Sequence, residues 1–313
     1  MPQSIRDEIM TLRNFCLVVV AAVAALVLPA LAGLGDAAQA VVGRITLQSG
    51  GVQRSALIVE HERLKKARRP VIIVLQGGKV GSRLRRHLGL GEAARSAGAV
   101  MVYPDPAGGK WNDSTGQGAE RDAQFILELV NKLAAEGIAD RRRVYIAGIG
   151  TGGMAAMRLA CDHAEAFAGA AALLAGLPAD LADSCRPARP LKFLLMAGTA
   201  DNLVPFRGGK ANLPDSKAEV LGAEATLAVF AKAAGCSDGK ATSAFPDRDK
   251  ADGTRAYAEK LKGCKAPVEL IRIEGGGHTI PGRWNGGRAE AQGAHNNDID
   301  AAAVIWDFFR RAG

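Results

Sequence analysis

Residues 144–154 of this 313-residue chain read VYIAGIGTGGM. The first four of them, Val144-Tyr145-Ile146-Ala147, form a short apolar run that is typical of a buried strand. A glycine-rich turn follows, and residues 152–164 then have the pattern of a helix. A strand that passes through a tight turn into a helix is the repeating unit of an α/β protein, so further strands and helices are expected on both sides of it.

The same alternation continues along the rest of the chain. Segments 42–48 and 53–60 predict an antiparallel hairpin that turns at Gly50-Gly51. No Pro/Ser-rich linker or internal repeat interrupts residues 41–313, which predicts a single α/β domain with a mostly parallel central sheet and helices on both faces. Apolar runs predict the other strands at 71–75, 100–103, 193–196 and 268–271, and amphipathic stretches predict the other helices at 119–136, 222–234 and 299–311.

Residues that could carry chemistry follow three of these strands. Gly150 lies in the turn after 144–147, Asp201 follows strand 193–196, and His278 follows strand 268–271 within a glycine-rich loop. A histidine exchanges a proton near neutral pH, and an aspartate beside it would fix the ring tautomer and stabilise the imidazolium. Asp201 and His278 are therefore candidate catalytic residues.

The order of these elements resembles that of the secreted polyhydroxybutyrate depolymerase and feruloyl esterase-like family of α/β-hydrolases. In such folds a nucleophile, an acid and a histidine follow one another along the chain, and the nucleophile lies on a strained turn between strand and helix. The stretches that carry the resemblance are Val102–Asp105 with Trp111-Asn112, Arg143–Gly148, Gly152–Met154 with Arg158–Cys161, Gly198–Asp201 with Val204-Pro205, and Glu274–Gly282.

The resemblance implies an activity and a set of roles. The family's substrates are carboxylic esters, such as hydroxyalkanoate oligomers or aromatic acids esterified to plant sugars, and no cofactor is used. A small-molecule or polymer ester is therefore the expected ligand. Backbone N–H groups of Thr151 and of the loop that contains Gly77 and Gly78 would hold the oxyanion.

The chain departs from the family pattern at two positions. Gln76 stands where the family has histidine, which is tolerable because that loop acts mostly through its backbone. Gly150 stands where the family has its nucleophilic serine. Loss of a triad serine typically lowers kcat by a factor on the order of 10⁶. The residual rate is still roughly 10³–10⁴ times that of the uncatalysed reaction in water. We therefore expect impaired ester hydrolysis, as in a ligand-binding pseudoenzyme.

One alternative is an active carboxylic ester hydrolase. Thr151, one residue beyond the serine position, could act as a displaced nucleophile, or His278 with Asp201 could activate a water directly. The roles of Trp111 and Trp284, which lie in glycine-rich loops, are left open. These side chains could line an acyl or aromatic pocket, or they could simply cover the edge of the domain. Asp122 is interpreted as a structural residue of the first long helix.

The N-terminal segment is expected to direct export. Arg13 and Asp36 enclose an uncharged, mostly apolar run, and Ala38-Gln39-Ala40 has the small-x-small form of a signal-peptidase site. Residues 1–40 are thus predicted to be a signal peptide that is cleaved before Val41, giving a secreted or periplasmic protein. A retained membrane anchor through residues 15–35 is the alternative, since the run is long enough to cross a bilayer.

Removal of residues 1–40 would leave four of the five cysteines. An even number in an exported protein suggests disulfides, and the local pairings Cys161–Cys185 and Cys236–Cys264 are chosen among three possible connectivities. Four buried thiols are the alternative. No Cys-x-x-Cys motif or histidine cluster predicts a metal site.

The composition restricts the remaining classes of partner. The chain is 48% hydrophobic and 23% charged, which is typical of a globular protein and excludes disorder. Its net charge of +8 is spread along the sequence, and basic runs such as Arg141–Arg143 lack interleaved aromatic residues. We therefore predict a solvated surface and no nucleic-acid partner. The oligomeric state is left open.

Overall fold

The apolar runs become strands of a ten-stranded sheet in the computed structural model. It describes residues 40–61, 68–76, 98–112, 117–237, 239–282 and 292–311. The strands are β1 (Ala40–Ser49), β2 (Val52–His61), β3 (Arg69–Gln76), β4 (Val100–Pro104), β5 (Ala139–Ile149), β6 (Gly169–Leu173), β7 (Lys192–Gly198), β8 (Gly208–Lys210), β9 (Glu219–Leu221), β10 (Lys240–Ala244), β11 (Arg255–Leu261) and β12 (Val268–Glu274).

The sheet has a parallel centre and antiparallel flanks. Its order is β1-β2-β4-β3-β5-β6-β7-β12-β11-β10, and β8 pairs separately with β9. All pairs from β4 through β3, β5, β6 and β7 to β12 are parallel. The predicted hairpin is confirmed as β1 and β2, which turn at Gly50 and Gly51, both with positive φ. The parallel centre brings the carboxyl ends of β3, β5, β7 and β12 to one edge.

Helices cover both faces of the sheet, as predicted. The described helices are α1 (Gln117–Ala135), α2 (Thr151–Asp162), α3 (Ala223–Ala234) and α4 (Ala301–Arg310). Side chains of α1, α2 and α3 share one core cluster, whereas α4 packs into the cluster on the opposite face. Successive β3 residues alternate between the two clusters, because strand side chains point to opposite faces. Within the described residues, no helix combines the length and apolar character required to cross a membrane.

Strand β6 was missed by the sequence analysis. It reads Gly-Ala-Ala-Ala-Leu over residues 169–173, which has no β-branched residue and favours a helix by intrinsic propensity. It is nevertheless fully buried between β5 and β7. Small side chains fit there because helices pack closely above and below the sheet. Strands β8 to β11 were also missed, and β10 and β11 extend the sheet beyond β12.

Both predicted disulfides are confirmed. Cys161, near the end of α2, is bonded to Cys185, and Cys236, just after α3, is bonded to Cys264 in the turn before β12. The first bond is buried in the core, whereas the second is partly exposed. In each pair the first cysteine lies at the end of a helix, and the second lies before a strand of the central sheet, β7 or β12. The predicted signal peptide lies outside the described residues.

Candidate active site

Gly150 forms a sharp turn between β5 and α2. Its backbone has φ 54° and ψ −123°, a combination that side-chain-bearing residues rarely adopt. Its N–H donates to the carbonyl of Leu173 at 3.0 Å, and its own carbonyl accepts from the N–H of Met154 at 3.1 Å. The turn therefore has the strained strand-to-helix geometry that presents a nucleophile above a sheet.

The neighbouring glycines allow α2 to approach the sheet closely. A Cβ on Gly148 would lie 2.0 Å from the carbonyl oxygen of Gly152, and one on Gly152 would lie 2.2 Å from that of Leu75. Packing thus requires glycine at both positions. At Gly150, however, the one described atom within 4 Å of a Cβ would be Leu213 Cδ1, at 3.7 Å. The described neighbours would therefore leave space for a serine side chain at this position.

His278 and Asp201 are in contact. The distance from His278 Nδ1 to Asp201 Oδ2 is 2.8 Å, and both residues are buried at the carboxyl ends of the adjacent strands β12 and β7. Asp201 Oδ1 also accepts the backbone N–H groups of Leu203 and Val204, each at 2.8 Å. Because an ionised carboxylate only accepts hydrogen bonds, Nδ1 is assigned the proton and Nε2 becomes the basic nitrogen.

The loop that carries His278 is fixed from two sides. Its backbone N–H donates to the carbonyl of Gln292 at 2.6 Å, and the Thr279 hydroxyl donates to that of Ala294 at 3.0 Å. On the other side, a Cβ on Gly198 would lie 2.3 Å from the carbonyl oxygen of Gly276. Close contact between the β7 and β12 ends therefore positions the imidazole.

Thr151 begins α2 and has a partner that the sequence analysis missed. Its buried hydroxyl donates to Asp215 Oδ2 at 2.9 Å. Its N–H belongs to the first helical turn, where backbone donors have no partner within the helix, so the predicted oxyanion role fits its place in the fold. Asp215 belongs to no recognised motif, and no sequence signal could have identified it.

The second part of the predicted oxyanion site is described only at its beginning. Gln76 ends β3 beside Ile149 in the sheet register. Gly77 and Gly78 follow it and lie outside the described residues, as does Trp284.

Trp111 lies against the end of β3. Only 1% of it is exposed, and its indole N–H donates to the carbonyl of Gln76 at 2.8 Å. It belongs to the core and supports the end of β3, and a substrate-lining role for Trp111 stays a prediction.

Asp122 anchors the first part of α1. It accepts from the Asn112 side-chain amide at 2.6 Å and from Arg54 Nη2 at 3.2 Å, and both charged side chains of this ion pair are buried. The Arg54 guanidinium also stacks on Phe125, 4.1 Å from the ring centroid. These contacts agree with the structural role expected of Asp122. Across the described ranges, no group of three or more His, Cys, Asp or Glu side chains could hold a metal ion.

Comparison with known sequences identifies related esterases. Residues 92–176 match the model of the prolyl oligopeptidase family. The chain is 31% identical over 258 residues to the protein named "Putative esterase NocK" of Nocardia uniformis, covering 77% of this chain and 74% of that one. It is 30% identical over 196 residues to feruloyl esterase B of Piromyces equi, covering 60% of this chain but only 35% of that longer protein.

Solved structures share the fold at low sequence identity. An acetyl xylan esterase from Aspergillus awamori superposes with a TM-score of 0.56 at 13% identity, covering 76% of this chain and 94% of the other. A thermostable esterase gives a TM-score of 0.50 at 14% identity, covering 85% of this chain and 60% of the other. Together with the sequence relatives and the strand-to-helix turn, these matches lead to one conclusion. The chain belongs to the esterase-like family of α/β-hydrolases.

Proposed function

We propose that this protein binds carboxylic esters in the family's cleft but hydrolyses them poorly or not at all. One observation carries the proposal: a hydrogen-bonded His278–Asp201 pair lies in a fold whose nucleophile position is Gly150. The base and its orienting carboxylate have no hydroxyl to activate at that position. The groups that bind a ligand in the cleft do not include the serine. Ligand binding would therefore be retained when hydrolysis is lost.

The size of the expected defect follows from the role of the serine. Its loss lowers kcat by a factor on the order of 10⁶. Oxyanion stabilisation and substrate binding still give a rate roughly 10³–10⁴ times that of the uncatalysed reaction in water. The proposal therefore includes both a weak residual esterase and a ligand-binding pseudoenzyme, which differ only in how much hydrolysis remains. The residue that separates them from an ordinary esterase is Gly150.

An active hydrolase is the second candidate. The Thr151 hydroxyl and Asp215 are within the distance expected of a nucleophile and its base. The basic Nε2 of His278 could instead activate water. The Thr151 route requires the same residue to supply an oxyanion N–H, so direct water attack is the better of the two routes.

Hydrolysis of p-nitrophenyl acetate, butyrate and benzoate would separate these functions. The parent is expected to show little turnover above buffer, and Gly150→Ser is expected to gain activity that His278→Ala in the same chain removes. If the parent already turns over, loss in His278→Ala identifies the water route, whereas loss in Thr151→Val alone identifies the threonine. Either result would contradict the proposal of impaired hydrolysis.

Binding is tested on the parent chain. Methyl ferulate and a 3-hydroxybutyrate trimer ester are expected to raise its melting temperature saturably without being consumed. The proposed function would be wrong if the parent bound none of these esters and Gly150→Ser gained no activity. Such a result would mean that the ligand-binding cleft is absent.

We also propose that the protein is exported. Two disulfides support this, because such bonds persist in oxidising compartments. N-terminal sequencing of the protein recovered outside the cytoplasm is expected to begin at Val41. A product that still contains residues 15–35 and fractionates with membranes would favour the anchored alternative.

A further inference from the structure

Asp215 places a carboxylate at the beginning of α2. Its Oδ2 is 2.9 Å from the hydroxyl oxygen of Thr151, the first residue of that helix. The hydroxyl oxygen and the backbone nitrogen of one threonine are about 3 Å apart, so this carboxylate oxygen is within about 6 Å of the Thr151 N–H. The negative charge therefore lies close to the donor expected to hold an oxyanion.

The segment that carries Asp215 is folded over the turn at Gly150. Leu213 is buried and is the residue that a Cβ on Gly150 would contact. The segment is held by backbone hydrogen bonds from Asn212 to Leu203 at 2.6 Å and from Ala211 to Ala218 at 2.8 Å. Because Leu203 follows the catalytic candidate Asp201, the segment is tied to the site itself, and Asp215 is held in position.

The charge of Asp215 opposes the electrostatics expected of an esterase. The N-terminal end of a helix carries a partial positive charge, which normally stabilises an anion. In the described part of the chain, the Thr151 hydroxyl donates a hydrogen bond to this carboxylate, and no lysine or arginine forms a salt bridge with it. The Asp201 charge, by contrast, is shared with His278 and two backbone N–H groups.

A second acceptor lies at the end of the neighbouring strand. Gln76 is 2% exposed, and its Oε1 atom is buried with no hydrogen-bond partner within the described ranges. Burying a carbonyl oxygen without a donor is unfavourable, so such a group favours a ligand or water that donates. The carboxylate group of a ligand cannot donate to this atom, whereas a hydroxyl group can.

We propose that Asp215 makes the cleft selective against negative charge, so that it takes uncharged esters in preference to the corresponding carboxylates. The preference among ligands rests on the proposed function. The charge effect itself does not, since it concerns any group placed at position 150.

A thiol at position 150 measures that charge effect directly. In full-length protein with Cys16→Ser, the four remaining natural cysteines are disulfide-bonded, so Gly150→Cys supplies the free thiol. Its pKa is obtained from the pH dependence of alkylation by iodoacetamide. Adding Asp215→Asn, which keeps the shape and still offers an oxygen to Thr151, is expected to lower this pKa by about one unit.

Asp183→Asn is the matched control. It removes the same charge from an exposed residue two positions before Cys185, whose disulfide places it near the far end of α2. That helix has 12 residues and is about 18 Å long. Asp183→Asn is expected to leave the thiol pKa unchanged. An equal shift in both variants, or none with Asp215→Asn, would overturn the proposal.

Ligand binding provides a second measurement that does not require a thiol. The parent is expected to prefer methyl ferulate to ferulate at pH 7, and Asp215→Asn to reduce this ratio about tenfold through tighter ferulate binding. An unchanged ratio would contradict the role of Asp215. If neither compound binds, the proposed function fails, while the thiol pKa still decides whether Asp215 controls charge at the site.

Discussion

At Gly150 the backbone conformation makes a side chain unfavourable. The position has φ 54°, and among the described residues a Cβ would meet one side-chain atom at ordinary contact distance. Both Gly150→Ser and Gly150→Ala are expected to lower the free energy of unfolding by about 1 kcal/mol, because both force an L residue into this conformation. Urea unfolding measures this loss. A serine variant as stable as the parent, or more stable, would show that the strain is absent.

Asp201 combines a chemical with a structural role. Its carboxylate accepts two backbone N–H groups besides the histidine. Asp201→Ala would leave these buried donors unpaired and is expected to destabilise the protein by about 2 kcal/mol. His278→Ala leaves both backbone bonds in place and should cost less. Equal urea midpoints for the two variants would mean that the backbone bonds contribute nothing.

At the scale of elements, the crossing of α2 over β3 depends on glycine. A Cβ on Gly152 would lie 2.2 Å from the carbonyl oxygen of Leu75, a backbone atom that can move only with its strand. Gly152→Ala is therefore expected to cost about 3 kcal/mol or more, or to prevent folding. Gly150→Ala, two residues earlier, is the matched control. Comparable losses in the two variants would contradict the close crossing.

The two disulfides join the ends of α2 and α3 to segments outside the strands and close loops of similar length. Their sequence separations are 24 and 28 residues, so loop entropy alone predicts about 3 kcal/mol for each. Cys161 and Cys185 are also buried in the core. Replacing this pair by alanine is thus expected to destabilise more than replacing Cys236 and Cys264. Urea unfolding of both double variants checks the order, and the reverse order would contradict the packing argument.

At the scale of the whole molecule, a buried carboxylate couples stability to pH. Burial, the largest influence, raises the pKa of Asp298, but hydrogen bonds from the Arg248 and Asp249 backbone and from Asn296 outweigh it and leave the pKa below its ordinary value of 3.8. A lowered folded-state pKa stabilises the protein above the unfolded pKa. This stabilisation is lost as the pH falls through the folded value.

Asp298→Asn is accordingly expected to reduce the dependence of stability on pH below about pH 4. The free energy of unfolding would be compared at pH 6 and pH 3 for the parent and for this variant. Asp183→Asn again serves as the exposed control and should lose as much stability as the parent. An equally steep loss in Asp298→Asn would show that other groups govern acid unfolding.

The sequence by itself determined the fold class, the positions of most strands and helices, the turn at Gly150 and the two disulfide pairings. These features rest on local patterns: apolar periodicity, glycine in a tight turn, and cysteines close in sequence. Helix ends were also nearly correct. The Asp300 side chain accepts a hydrogen bond from the Ala303 N–H and caps α4. The helix therefore begins at Ala301, two residues after the predicted start.

Only the tertiary structure decided the features that depend on distant parts of the chain. It made the alanine-rich β6 a strand, buried Trp111, joined His278 to Asp201 and brought Asp215 to Thr151. Each of these depends on which strands become neighbours in the sheet. Burial and contact across that sheet outweigh local propensity, and a carboxylate acquires a role only from the group it meets after folding.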